Sequence, residues 1–194
     1  MKKFTLLCLV LMLANAGSAV AGKNVFGVAW NVSLPVGDSS DFTSGLQFRG
    51  ASLSWQSFYT RDMAYGLNAS WNVFTEHNEG TFVGDDFAVT GKAWRYQNVV
   101  PLYASWHKYM GNDRRGKRTF FGINAGTVYL ERRLEVGILQ IDNDNWHLAL
   151  APEIGLQLPW DSFLGWVAVR YNYAFSAGDL DAQQWFEFRF GFGM

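Results

Sequence analysis

Cysteine is almost absent from this 194-residue chain. The one cysteine, Cys8, lies in an apolar run near the start, so the remainder can form neither disulfides nor thiolate metal sites. Long apolar runs are also missing. Beyond the opening segment nothing approaches the ~20 consecutive apolar residues that a membrane-crossing helix requires. Helical periodicity is absent beyond that segment as well, which removes helical bundles and α/β folds from consideration. Nor is there a basic excess. Lys2 and Lys3 account for two of the 16 basic residues, so 14 face 17 acidic residues after them, a net charge of −3. That balance excludes a general nucleic-acid binder, which needs a basic surface.

The opening segment explains itself. Met1-Lys2-Lys3 is a positive start, Phe4 to Ala14 is a short apolar stretch, and Ala19-Val20-Ala21 is an A-x-A-like cleavage site before Gly22. This pattern predicts a secretory signal peptide over 1–21, followed by one domain over 22–194.

What the chain has in abundance is aromatic residues and glycine. Aromatics make up 17%, with nine Trp and 20 Gly, yet average hydropathy is near zero. Alternating strands produce this combination, because polar positions cancel apolar ones in any window. The last stretch shows it most plainly. Phe186, Phe188, Phe190 and Phe192 occupy every second position, Met194 continues the series, and Glu187, Arg189, Gly191 and Gly193 lie between. On a strand the rings share one face and the charges the other. A ring-only face suits lipid, and the charged face then looks into a barrel lumen.

The same alternation recurs upstream. Phe26, Val28, Trp30, Val32 and Leu34 alternate with Gly27, Ala29, Asn31 and Ser33; Tyr65, Leu67, Ala69, Trp71 and Val73 alternate with Gly66, Asn68, Ser70 and Asn72. In strand two the parity of Leu46 and Phe48 is opposite to that of Ala51, Leu53 and Trp55, with Gly50 at the switch, so a bulge is expected there. A second bulge is expected at Pro101 in strand four, where proline cannot donate to the ladder. Polar segments at Glu76 to Asp86 and Glu131 to Asn145 read as long loops. Eight strands emerge, with short turns after strands two, four and six and longer loops after the others. The fold class predicted is all-β: an eight-stranded, antiparallel, up-and-down transmembrane β-barrel with extracellular loops and periplasmic turns.

Phe121-Gly122-Ile123-Asn124-Ala125-Gly126, Asn98-Val99-Val100-Pro101-Leu102-Tyr103, Ala151-Pro152-Glu153-Ile154-Gly155-Leu156 and Arg170-Tyr171-Asn172-Tyr173 resemble strands of the small outer-membrane β-barrel domain family, the OmpA/OmpX-like barrels of the porin-like superfamily. The resemblance covers most of the segment after the signal. It implies residence in the cell outer membrane, contact with outer-membrane lipids including lipopolysaccharide, and no single activity. The final strand resembles the C-terminal signal read by the barrel assembly machinery, with Phe186, Phe188, Phe190 and Phe192 matching it and Met194 departing from the usual aromatic ending.

Candidate chemistry is sparse. Glu153, Arg170, Glu187 and Arg189 fall on the inner faces of neighbouring strands six, seven and eight. Opposite charges in a narrow lumen are expected to pair, because an unpaired buried charge is costly; the four are predicted to form an ion-pair network that closes the lumen. Lipid A deacylases of this size carry a His-x-Ser pair, whereas this chain has the reverse, Ser105-Trp106-His107, with no carboxylate placed by sequence to orient His107. His147 and Glu153 are six residues apart, about 20 Å along a strand, and cannot touch. Asp142-Asn143-Asp144-Asn145 lacks a full calcium-loop pattern and reads as a solvated loop. Arg132-Arg133 near the outer rim could contact lipid phosphates, and the acidic loops could hold bridging cations or meet a basic partner.

The expectation is therefore a non-enzymatic, monomeric barrel without cofactor or metal, in a structural or surface-interaction role. The alternatives are a small pore or carrier for small or hydrophobic solutes and, less favoured, a lipid A-modifying enzyme. A soluble lipocalin-like barrel is the rival at the level of fold. It would leave the four charges on the outside.

Overall fold

The computed structural model describes residues 24–83, 88–111, 117–136, 139–160, 163–178 and 180–194, without the side chains of residues 78–83, 88–93, 136 and 139. The predicted signal peptide and its cleavage site, together with Asp85, Asp86, Arg114, Arg115 and Asp179, lie outside the described residues.

Eight strands succeed one another: β1 (Asn24–Val36), β2 (Arg49–Phe58), β3 (Met63–Val83), β4 (Ala88–Met110), β5 (Arg118–Val136), β6 (Leu139–Pro159), β7 (Leu164–Ala174) and β8 (Gln183–Gly193). Each pairs antiparallel with its sequence neighbours, and β1 pairs with β8 from Gly27↔Gly193 to Val36↔Gln184, closing the barrel. Closure at eight strands leaves an interior that side chains can fill.

The two faces are inverted relative to a water-soluble barrel. Leu67, Trp71, Leu148 and Ile154 point outward and are 57–69% exposed, whereas Asn31, Asn72, Arg170 and Glu187 point inward and are at most 1% exposed. An outer surface this apolar is far larger than the patches that soluble monomers carry. It is the surface of a barrel wall in lipid. The lipocalin-like alternative, with its apolar face inward, does not fit this polarity.

Aromatic rings cluster toward both ends of the wall. Near one end Trp106 donates its indole N–H to the Tyr59 hydroxyl (3.0 Å), and Tyr59 stacks with Tyr65. Toward the other end Tyr129 packs on Trp146 and Tyr173 on Phe175. Two such girdles are expected at the two interfaces of a bilayer. Phe186, Phe190 and Phe192 are exposed on the wall, Phe188 is half-buried between strands, and Met194 closes the chain by exchanging backbone hydrogen bonds with Phe26 (2.9 Å each).

Three expectations about local structure are resolved by the register. β1 pairs with β2 through Trp30↔Ala51 and then bridges Ser33↔Gln47. Three residues on β1 thus oppose four on β2, which is a bulge at the parity switch beside Gly50. At Pro101 there is no bulge. The β4–β5 register runs unbroken through Pro101↔Val128, and on the β3 side the pairing stops at Ala69↔Leu102 and resumes in the same register at Asn72↔Val99. A missing N–H removes ladder bonds without changing register, and the facing parity of β4 does not switch there.

The third concerns length. The segments read as loops at Glu76 to Asp86 and Glu131 to Asn145 are largely strand. β3 and β4 stay paired to Val83↔Ala88, and β5 and β6 to Val136↔Leu139. Asp142-Asn143-Asp144-Asn145 accordingly lies in β6, paired with β5. β3 to β6 run 19–23 residues against 10–13 for the other four. They rise as a four-stranded sheet beyond the barrel mouth. Both faces of Gln140 to Asp144 are exposed, so no hydrophobic alternation marks this part of the strand in the sequence.

Candidate functional site

The interior is stacked in layers along the barrel axis. The inward face of every strand contributes, because alternation aims each second residue at the lumen.

The middle layer is ionic. The register sets Glu153 opposite Arg170 and Arg170 opposite Glu187, so β6, β7 and β8 bring the three together, and Arg189 follows two residues on. Arg170 donates from Nε (2.9 Å) and Nη2 (2.7 Å) to Glu153 Oε2, and from Nη1 (2.8 Å) to Asn68 Oδ1. Arg189 donates from Nη1 to Glu153 Oε1 (2.7 Å) and from Nη2 to Ser52 Oγ (3.1 Å). Glu187 lies 3.7 Å from Arg170 and 3.4 Å from Arg189, and accepts from Asn72 Nδ2 (3.0 Å). Two guanidiniums and two carboxylates make a neutral set, and all four side chains are at most 4% exposed. Charge-assisted hydrogen bonds and amide donors replace the water these groups give up.

His107 joins this layer, which the sequence did not reveal. β5 places Gly122 opposite both His107 and Glu153. A Cβ at Gly122 would fall on the His107 ring, so only glycine lets the imidazole lie across β5 toward Glu153. His107 Nε2 is 3.7 Å from Glu153 Oε2, and its Nδ1 faces Gln56 Nε2 at 3.4 Å. The carboxylate that sequence order does not place beside His107 is thus supplied by Glu153, two strands away. Both ring nitrogens are turned to these partners, and no hydrogen bond links His107 to Ser105 among the described residues. A relay needs the imidazole between nucleophile and acid, and this imidazole is not so placed.

Apolar layers lie on either side. Phe74, Val99, Tyr103, Val128, Leu130, Leu180 and Trp185 form the upper one, with Phe74 edge-on to Trp185; Tyr103 donates to Asn172 Oδ1 (3.1 Å), and the Arg170 guanidinium of the ionic layer lies 5.6 Å over its ring. The lower one comprises Phe58, Tyr109, Phe120, Ala64 and Ala168, with Val25 and Trp166 against it. Arg118 lies 4.5 Å over the Tyr109 ring and donates to Gln157 (3.1 Å). Between the ionic and lower layers is a cavity of about 40 Å³, lined in part by Gln56, His107, Asn124, Gln157 and Trp166. It has room for no more than a few waters.

The mouth at the end where β1 leads toward β2 carries a cover. After β1 a short 3-10 turn, Gly37–Asp41, folds back over the lumen; Gly37 has φ +57°, a conformation that suits glycine. Ser39 is buried and its hydroxyl is within 2.9 Å of Gln183 Oε1 and accepts from the Gln184 N–H (2.7 Å). The Phe42 ring is held under Arg132 (4.6 Å) and Arg95 (5.6 Å), and Arg95 also donates to the Asp41 and Phe42 carbonyls. Arg132 thus faces inward, bonding Gln97 and Gln183. Burial draws its pKa below the ordinary arginine value, opposed by Asp181. Arg133 faces outward but is surrounded by Glu131, Glu135 and Asp142. The Arg132-Arg133 pair does not act as one lipid-phosphate contact, because adjacent residues on a strand face opposite ways. His147 bonds the Phe175 carbonyl (2.7 Å) and stands apart from the ionic layer.

This architecture has relatives among solved structures. The neisserial surface protein A superposes with a TM-score of 0.59 at 10% identity, covering 88% of this chain and 96% of its own. Ail, the attachment invasion locus protein of Yersinia pestis, gives 0.54 at 15% identity, covering 89% and 97%. The outer membrane protein OprG from Pseudomonas aeruginosa gives 0.52 at 14% identity, covering 89% and 95%. The fold is that of the small outer-membrane β-barrels. No protein-family profile matches the chain, and no curated protein matches it. At these identities the likeness establishes the barrel architecture, and the role must be argued from this chain's own residues.

Proposed function

We propose that the protein is an integral outer-membrane barrel whose interior is sealed and whose extracellular sheet meets partners, a structural and surface-interaction role rather than a catalytic one. The observation that carries this reading is the filled lumen: an ionic layer of Glu153, Arg170, Glu187 and Arg189 between two apolar layers, under a cover anchored by Ser39 and Phe42. A conducting pore needs a continuous polar path, and the Trp185 and Phe58 layers are packed side chains across that path. The upper part of the β3–β6 sheet supports the surface role. Beyond Glu76 on β3 and before Leu148 on β6, the sheet edges have no further strand beside them among the described residues, and open sheet edges are available to other chains.

On this reading the outward stripe of Phe186, Phe188, Phe190, Phe192 and Met194 serves as the signal for the barrel assembly machinery, and outer-membrane lipids including lipopolysaccharide surround a monomer. A second reading, a small pore or carrier, draws on the cavity beneath the ionic layer. Swelling of proteoliposomes in a pentose solution separates the two. The sealed barrel gives a rate equal to that of protein-free liposomes, whereas rapid swelling would establish the pore. Lipid A modification is tested separately by mass spectrometry of lipid A from cells with and without the protein, and no change in mass is expected.

A further inference from the structure

Above the upper aromatic girdle the outward face of the β3–β6 sheet changes character. Glu131 stands opposite Asp144 and Arg133 opposite Asp142, all pointing away from the lumen. Such charges are costly against hydrocarbon, so these rows lie beyond the lipid core. Surface carboxylates alone are an ordinary solvated face. The aromatic residues among them are not: in the same rows Trp94 stands opposite Glu135 and Tyr96 opposite Arg133. Trp94 is 45% exposed. Its ring stacks on Tyr96 at 6.2 Å and 7°, and His77 braces it at 4.0 Å. Neither hydrocarbon nor the protein core accounts for a flat aromatic ledge at this height.

The carboxylates beside the ledge already hold one guanidinium. Arg133 Nε is 3.0 Å from Asp142, with Glu131 at 3.4 Å and Glu135 at 4.0 Å. Asp144 is oriented by the Tyr129 hydroxyl (3.2 Å) and Glu131 by Asn98 (3.2 Å). Among the described side chains of this face, four carboxylates stand against one arginine, an excess of three negative charges. A planar guanidinium can lie flat on the rings and turn its fork of donors to the carboxylates at once; a compact, strongly hydrated ammonium meets the rings less well while bonding the same carboxylates.

We infer that the outward face formed by Trp94, Tyr96, Glu131, Glu135, Asp142 and Asp144 docks an arginine-bearing cationic polypeptide. The inference rests on the surface-interaction reading and names the chemistry of its partner. Charge complementarity selects a cationic partner, and the exposed stack selects guanidinium over ammonium.

The test uses the whole protein in nanodiscs of zwitterionic lipid, with fluorescent deca-arginine, decalysine, decaglutamate and a neutral dextran as probes and empty nanodiscs as background. Deca-arginine is expected to bind about fivefold tighter than decalysine, an order of magnitude consistent with one or two exposed cation–π contacts. Trp94→Ala should bring that ratio to about one while leaving decalysine affinity nearly unchanged. Asp142→Asn with Asp144→Asn should weaken both cationic peptides about tenfold, an order consistent with losing two rim charges. Equal affinity of the two cationic peptides for the unaltered protein, an arginine preference that survives Trp94→Ala, or tighter binding of dextran would overturn the inference. A protein that stays sealed in the swelling assay yet ignores deca-arginine overturns the inference alone; rapid swelling overturns the reading on which it rests.

Discussion

Glu153→Ala lowers the unfolding free energy of the barrel by about 3–5 kcal/mol, the range for breaking a buried ion pair from one side. Glu153 accepts from Arg170 and Arg189 together, so its removal takes the hydrogen-bonded carboxylate from both guanidiniums and leaves each only Glu187, at 3.7 Å and 3.4 Å. Both guanidiniums are at most 4% exposed, so bulk water is not at hand to replace the lost carboxylate. Urea titration in lipid vesicles, followed by the shift of the unheated band on a gel, reads the effect. A companion variant separates lost pairing from lost packing. Glu153→Leu with Arg170→Met removes one carboxylate and one guanidinium, and leaves Glu187 and Arg189 as a 3.4 Å pair. Apolar replacements of similar volume for a buried pair are often neutral or stabilising, so this double variant is expected to be more stable than Glu153→Ala. A loss under about 1 kcal/mol for Glu153→Ala would show that the four charges are dispensable to the fold.

Gly191→Val is expected to cost about 2–3 kcal/mol, in the upper range for overpacking a filled interior. Trp166 on β7 faces Gly191 on β8 in register, and its indole lies across the β1–β8 seam. A Cβ at Gly27, Gly191 or Gly193 would meet that ring. The three glycines form a niche on both sides of the closing seam, and Trp166 fills it. At Gly191 a Cβ would also press on the Ala29 side chain at 2.8 Å. The collision therefore falls where the first and last strands must pair. Coupling gives the decisive comparison. Combined with Trp166→Ala, Gly191→Val should cost less than the sum of the two single losses, because the bulk removed makes room for the bulk added. Additive losses would mean that the indole does not occupy the niche.

How far the sequence could be read follows from where the two faces of a strand differ. In the wall one face meets lipid and the other the lumen, so alternation is strong and Phe186, Phe188, Phe190 and Phe192 separate cleanly from Glu187 and Arg189. Parity alone assigns Glu153, Arg170, Glu187 and Arg189 to the inner face. Which carboxylate meets which guanidinium depends on register, which parity does not carry. Above the membrane both faces of β6 are wet, alternation vanishes, and Asp142 and Asp144 read as loop although they sit in a ladder.

The two bulge expectations divide for the same reason. At Gly50 the apolar parity changes, and an extra residue is needed to restore facing. At Pro101 the parity of Val100 and Leu102 continues that of Trp94 and Tyr96, and proline costs only ladder bonds. Interior aromatics are the hardest part to read. Tyr103 shares the parity of Arg95, Gln97 and His107 and so belongs inside; Phe74, Phe120 and Trp185 share parity with polar neighbours in the same way, but a ring is also the mark of the lipid face. The approach of His107 to Glu153 needed two registers and the absence of a side chain at Gly122. Gly122 was visible in the sequence, but its position between those two residues was not.

These features converge on one physical statement: the apolar surface of this chain faces outward into a membrane, and its charges face inward. Gel migration of the protein from the outer-membrane fraction, with and without boiling, tests it most directly. A closed barrel whose strands are hydrogen-bonded all round resists detergent at room temperature. The protein is expected in the outer-membrane fraction, with different mobilities for the unheated and boiled samples. Recovery in the soluble periplasmic fraction, with one mobility in both samples, would contradict the account.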